Sequence, residues 1–227
     1  MTAAMKKLEE YIHKEIVPRY AEFDAAHKED HALTVISQAM ELLERMPKWL
    51  ASEKEQGKDV SEWDINVRPD ILLMAAACHD LGLGGGRDNH HMDSGKIIRA
   101  DQRLHEWFSD EEIETIAQAA EDHRASGKSD PRSIYGKLVA EADRVIDGET
   151  IIRRTIQFGF KHYPDLNREE HIERAVSHLR EKYGRGGYLK LWIPWSDNAA
   201  RLAALQDIIA DDEAIRHSIN TIWRDLQ

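Results

Sequence analysis

The segment from Ile71 to Cys78, ILLMAAAC, is apolar around the whole circumference of a helix and follows Pro69-Asp70, a pair suited to starting one. A helix without a polar face has to lie in the middle of the protein, covered by other elements on every side. This one runs directly into His79 and Asp80. Seven consecutive small or apolar residues, Leu72 to Cys78, thus deliver an imidazole and a carboxylate close to the core. An unpaired carboxylate is costly to bury, and a divalent cation offsets that cost by taking one oxygen and one imidazole nitrogen at a frayed helix end.

The rest of the chain reads as helices joined by short polar breaks, with no period-two strand pattern and no internal repeat, so the expected class is all-α. A first helix is expected from about Ala3 to Val17, interrupted by Pro18, and a second from about Asp30 to Met46, ending before Pro47. The charged stretch from Lys48 to Arg68 is expected as a loop or a loose helical excursion. A helix follows from about His91 to Ala100. Ser109 with Glu112 forms a capping-box signature for a helix that carries Ile113, Ile116 and Ala120 and closes near Gly127. Another, after Pro131, carries Ile134, Leu138, Val139 and Ala142 through Ile146, with Asp143 inside it. One domain is expected over 1–227, with a metal-binding core at about 23–147 and a C-terminal helical cap at about 150–227. The glycines of YGRGGYLKLW lack the strand and helix N-terminus of a phosphate-cradling loop and read as a connection.

Three further polar residues fall on core-facing stripes. His31 is in the first turn of its helix, His123 extends the Ile113, Ile116, Ala120 stripe, and Asp143 follows Val139 and Ala140. Each alone is an ordinary packed polar residue with a hydrogen bond. Three helices each offering one beside a buried His-Asp pair point to a shared metal site. Of His90 and His91, adjacent residues about 100° apart on a helix, only one faces inward. His91 is preferred because it lies four before Gly95, where a missing side chain lets the helix approach the site; His90 is then behind the ligands or in solvent. His13, His105, His162, His171, His178 and His217 sit in charged contexts and read as surface residues. The single cysteine, Cys78, excludes a thiolate-rich zinc site, leaving histidines and carboxylates as donors.

The order His31, His79-Asp80, Asp143 resembles the H…HD…D signature of the HD superfamily of metal-dependent phosphohydrolases. The contexts HALTV, AAACHDLG and AEADRVID are similar to the segments that carry that family's ligands. The resemblance covers about Phe23 to Asp147 and implies an HD-domain helical bundle with a C-terminal helical extension. It implies that His31, His79, Asp80 and Asp143 bind a first metal and that Asp80 bridges to a second. His91 and His123 lie where the binuclear branches of the superfamily carry added histidines. Those branches include cyclic-nucleotide phosphodiesterases, HD-GYP enzymes and mixed-valent diiron oxygenases. No GYP segment follows Asp143, and the large nucleotide-binding additions of the dNTP triphosphohydrolases are lacking.

The function expected from this resemblance is hydrolysis of a small phosphorylated metabolite or nucleotide by metal-activated hydroxide, with one or two divalent ions drawn from Mn, Fe, Ni, Co, Mg or Zn. Asp80 is the bridging ligand, His27 a proton-transfer candidate one turn before His31, and Arg124 and Arg144 are candidate phosphate clamps beside two ligands. Lys96 and Arg99 are weaker candidates for the same role. Competing assignments are an HD-type diiron oxygenase and a non-catalytic metal-binding helical module. A net charge of −11 argues against a face for nucleic-acid polymers, though not against nucleotides, since a bound cation reverses the local field. The sequence has no long apolar run for a bilayer and no signal-peptide core, so a cytoplasmic protein without membrane contact is expected. A homodimer is left open.

Overall fold

The fully apolar helix is where the sequence places it, at the centre of a helical bundle. The structure, a computed structural model, describes residues 2–23, 28–126 and 129–226, and among these there are ten α-helices and no strand. α1 covers Ala3–Tyr11, α2 Glu29–Glu55, α3 Pro69–Cys78, α4 His90–Ala100, α5 Asp110–Glu121 and α6 Ile134–Asp143. α7 covers Gly148–His162, α8 Arg168–Tyr183, α9 Asn198–Ala210 and α10 Asp212–Asp225. Chain contacts separate two compact units, residues 1–143 with 192–196, and residues 144–191 with 197–227. The first unit thus starts ahead of the core expected from about 23, and it takes in 192–196 from the stretch expected to belong to the cap.

In the first unit every residue of α3 from Ile71 to Cys78 is buried, enclosed by α2, α5 and α6. Truncating a fully enclosed side chain such as Leu72 to alanine would cost about 2–5 kcal/mol through lost transfer energy and the cavity left behind. The expected ends of the first two helices move. α1 gives way at Ile12–Ile16 to a wider π turn and then, at Val17–Glu22, to a 3₁₀ turn that accommodates Pro18 near its start. α2 continues through Pro47 to Glu55 instead of ending at Met46. Pro47 is exposed, so its lost backbone bond is on the solvated side, while Trp49 and Leu50 carry the apolar stripe onward against the core. Trp195, from the returning segment, donates its indole N–H to the Leu42 carbonyl (2.8 Å) and packs on Trp49 and Trp63.

The capping box forms as the sequence predicts, with Ser109 and Glu112 each satisfying the other's backbone N–H. α5 stops at Glu121, earlier than Gly127, which lies outside the described residues. α6 ends on Asp143 and does not continue to Ile146.

The second unit has its own core, built from Ile151, Ile152 and Ile156 of α7, Val176 and Leu179 of α8, Leu205 and Ile209 of α9, and Ile215 and Ile219 of α10. His171 is not on the surface as expected. It is buried edge-on against Phe160 and beside Trp223, because the i, i+4 stripe of α8 that buries Ala175 and Leu179 begins on it. The glycine-containing segment between α8 and α9 is irregular, as a connection. No described helix is long and apolar enough to cross a membrane.

Candidate metal centre

The candidate ligands collect at helix ends, where backbone groups, carbonyls near the helix breaks among them, lack helical partners. His79 and Asp80 follow the last residue of α3, His90 is the first residue of α4, His123 lies just past α5, Asp143 closes α6, and His31 sits in the first turn of α2. Three of the rings use those carbonyls in the same way. Nδ1 of His79 donates to the Ala76 carbonyl (2.8 Å), Nδ1 of His123 to that of Ala120 (2.5 Å) and Nδ1 of His90 to that of Arg87 (2.7 Å). A carbonyl can only accept, so each Nδ1 carries a proton and each ring turns its Nε2 inward. This arrangement orients metal-binding histidines generally.

Asp80 stands between the inward-facing nitrogens. Its Oδ2 lies 3.6 Å from His31 Nε2 and 3.4 Å from His79 Nε2, while its Oδ1 lies 3.4 Å from His90 Nε2 and 3.3 Å from His123 Nε2. One carboxylate thus presents each oxygen to a different pair of imidazoles. Asp143 joins the first pair, with Oδ1 at 3.2 Å from His31 Nε2 and 3.8 Å from His79 Nε2. Within each pair the two Nε2 atoms are 3.2 Å apart. For His90 and His123 the Nδ1 atoms are already committed to carbonyls, so a cation or a proton shared between the two Nε2 atoms would relieve the approach of their lone pairs. The donor atoms of His31, His79 and Asp80, and those of Asp80, His90 and His123, each lie within 4.8 Å of one another, compact enough to share an ion. With nitrogen and oxygen donors only, the set fits one or two divalent ions.

The field in the site favours positive charge. Burial works against ionisation of Asp80, but the surrounding imidazoles, His79 first, then His123 and His31, hold its carboxyl far below the usual range. Burial likewise opposes ionisation of Asp143, and His31 overcomes it. His31 loses basicity to burial and regains more from the Asp143 and Asp80 carboxylates, reaching about 9. His123 is raised by Asp80 against its own burial, whereas His90 is lowered by burial and by His123.

Glycine and arginine bring the second pair into place. A side chain on Gly82 would meet the backbone of α4, 2.6 Å from the Ser94 nitrogen and closer still to the His90 carbonyl. Only glycine lets this turn sit against α4, where the Gly82 N–H donates to the buried Ser94 hydroxyl (2.9 Å). His90 is thereby held beside Asp80. The end of α5 is fixed by the buried Glu121, which accepts from Arg99 (2.5 Å) and Arg132 (2.7 Å), and by Asp122, which accepts from Arg132.

The structure brings His31, His79, Asp80, His123 and Asp143 together, and it is His90, not His91, that stands beside Asp80. The His91 ring lies beside His90, its buried Nδ1 has no hydrogen-bond partner, and burial together with Arg124 and His90 lowers it to about 4. Gly95, the reason for preferring His91, serves a different contact: its missing Cβ leaves room for Glu121, whose Cγ and Cδ would lie 2.7 and 2.8 Å away. Arg124 is turned to the Asp88 carbonyl and the Ser126 hydroxyl. Arg99 is taken by Glu114 and Glu121, and Lys96 by Asp93, so neither is a free phosphate clamp. Arg144 is buried and falls in the second unit. His27 lies outside the described residues.

An all-helical bundle with a His-Asp pair at the end of its central helix, and further histidines around the Asp80 carboxylate, is consistent with an HD-type metal site. The HD domain family matches residues 29–148, more than half of the chain, and the chain belongs to that family. No curated protein and no solved structure matches it. HD domains make up a superfamily composed mostly of metal-dependent phosphohydrolases.

Proposed function

We propose that the chain is a metal-dependent phosphohydrolase acting on a small phosphorylated metabolite or nucleotide. The observation that supports this most is the divided Asp80 carboxylate, whose two oxygens face separate imidazole pairs. His31, His79, Asp80 and Asp143 would hold a first divalent ion, and Asp80, His90 and His123 a second. Bound there, such ions supply Lewis acidity, which acidifies water and offsets charge on phosphoryl oxygens. His79 and His123 are almost fully enclosed, with side chains 0% and 3% exposed, so they anchor the site. His31 and Asp143 are 15% and 26% exposed and form the edge by which a substrate would enter.

The same nitrogen and oxygen donor set suits iron, which makes a diiron oxygenase the second assignment. Purified protein, supplemented in turn with Mn(II), Co(II), Zn(II) and Fe(II), should be offered nucleotides, inorganic pyrophosphate, sugar phosphates and phosphonates with and without oxygen. Phosphate release independent of oxygen is the expected result. Substrate-dependent oxygen uptake with Fe(II) would overturn the hydrolase in favour of the oxygenase.

A further inference from the structure

Tyr20 lies in the 3₁₀ turn after Pro18 and is fully buried. Its ring is packed edge-on against Phe23 and tilted over His79, which a phenylalanine would do equally well. The hydroxyl is what calls for an explanation. It donates to the Ala77 carbonyl (2.8 Å) and accepts from the Asp80 N–H (3.3 Å). Both groups belong to the point where α3 is broken off. In a continuing helix the Asp80 N–H would bond the Ala76 carbonyl, four residues back. That carbonyl here receives the His79 ring proton. Orienting the His79 ring therefore coincides with a diverted backbone N–H on the very residue whose carboxylate is shared. One hydroxyl, from an element far away in sequence, meets that N–H and a terminal carbonyl of α3 together.

We propose that the Tyr20 hydroxyl is a positioning residue for Asp80, fixing the turn at the end of α3 so that its two carboxylate oxygens address the two imidazole pairs. The inference rests on the metal site proposed above. The Tyr20 hydroxyl bonds backbone groups, not the metal-donor atoms, and so acts through the Asp80 backbone.

Tyr20→Phe removes the hydroxyl and keeps the ring. Calorimetric titration of the metal-free full chain with Mn(II) should show wild type taking up two ions and the variant binding the weaker one about 10- to 100-fold less tightly, the usual cost of losing an orienting group behind a metal ligand. The electron paramagnetic resonance signal of the paired Mn(II) ions should change in the variant, since their coupling runs through the shared carboxylate. In an Asp80→Asn background, adding Tyr20→Phe should cause no further loss of Mn(II) affinity. A purely structural hydroxyl would lower the melting temperature and leave affinity and coupling as in wild type, and that outcome overturns the proposal. Should Tyr20→Phe not fold, hydrogen exchange of the Asp80 amide in wild type gives the test: Zn(II) is expected to slow it at least about tenfold, and an unchanged rate overturns the role of Tyr20. Wild-type protein that takes up no Mn(II) overturns the metal site itself; wild type with two ions and an unaltered variant overturns only the part played by Tyr20.

Discussion

His90 and His91 are neighbours of the same residue type, and replacing each with alanine should separate them sharply. His90 Nε2 stands 3.4 Å from Asp80 Oδ1 and 3.2 Å from His123 Nε2, so it is one of three donors in the second group. A protein zinc site of four ligands is worth about 10–16 kcal/mol, so one donor contributes roughly 2.5–4 kcal/mol, on the order of 100-fold in affinity. His90→Ala should therefore leave one tight ion, held by His31, His79, Asp80 and Asp143, and weaken the second about 100-fold. His91→Ala should stay within about threefold of wild type at both, because its ring joins neither group and its buried Nδ1 has no hydrogen bond to lose. The assay is a Co(II) titration followed by visible absorption, with bound metal counted by elemental analysis after gel filtration. Equal losses in both variants, or a larger loss in His91→Ala, would refute the assignment of His90.

Gly82→Ala should destabilise the fold by about 1–3 kcal/mol or more in urea, since the new methyl group would press on backbone atoms of α4 that cannot rotate away; a change below about 0.5 kcal/mol would count against the close approach. Glu114 is held down to about 2, chiefly by its hydrogen bond with Arg99. A carboxyl depressed in the folded chain stabilises it above the ordinary value of 4.5, and the contribution fades as pH falls from there toward 2. At 44% exposure the pair is screened and worth below about 1 kcal/mol, so the deficit of Glu114→Gln in metal-free protein should be measurable at pH near 5.5 and smaller near 3.5. A deficit that grew on acidification would contradict this sign.

Much of the bundle was legible in the sequence because its strongest signals are local. The all-apolar α3, the Ser109-Glu112 box and the stripe through Ile113 and Ile116 each follow from short-range chemistry, and all three appear in the structure. Pro47 was misleading because its lost backbone bond falls on a solvated face of α2, and exposure is a tertiary property. His171 was misplaced for a related reason: Glu169, Glu170 and Glu173 around it in sequence are exposed, while His171 itself begins the buried stripe of α8. At the site, His31, His79, Asp80, His123 and Asp143 stood out as polar residues on apolar faces. The choice between His90 and His91 could not be made from periodicity, since it depends on where α4 begins and on the contact of Gly82 with its first turn. The signal available in principle was the shared habit of His79, His90 and His123, each three residues after a carbonyl left open near a helix end. Tyr20 carried no sequence signal, because a hydroxyl among apolar neighbours acquires meaning only from the helix end it meets across the fold.

The claim on which all of this depends is that Asp80 is shared by two ions. Elemental analysis of chain reconstituted with Mn(II), then gel-filtered, measures it directly in wild type and in Asp80→Ala. About two ions per chain in wild type, falling to none held tightly in Asp80→Ala, is the predicted result; less than one per chain in wild type, or the same stoichiometry in both, would contradict it.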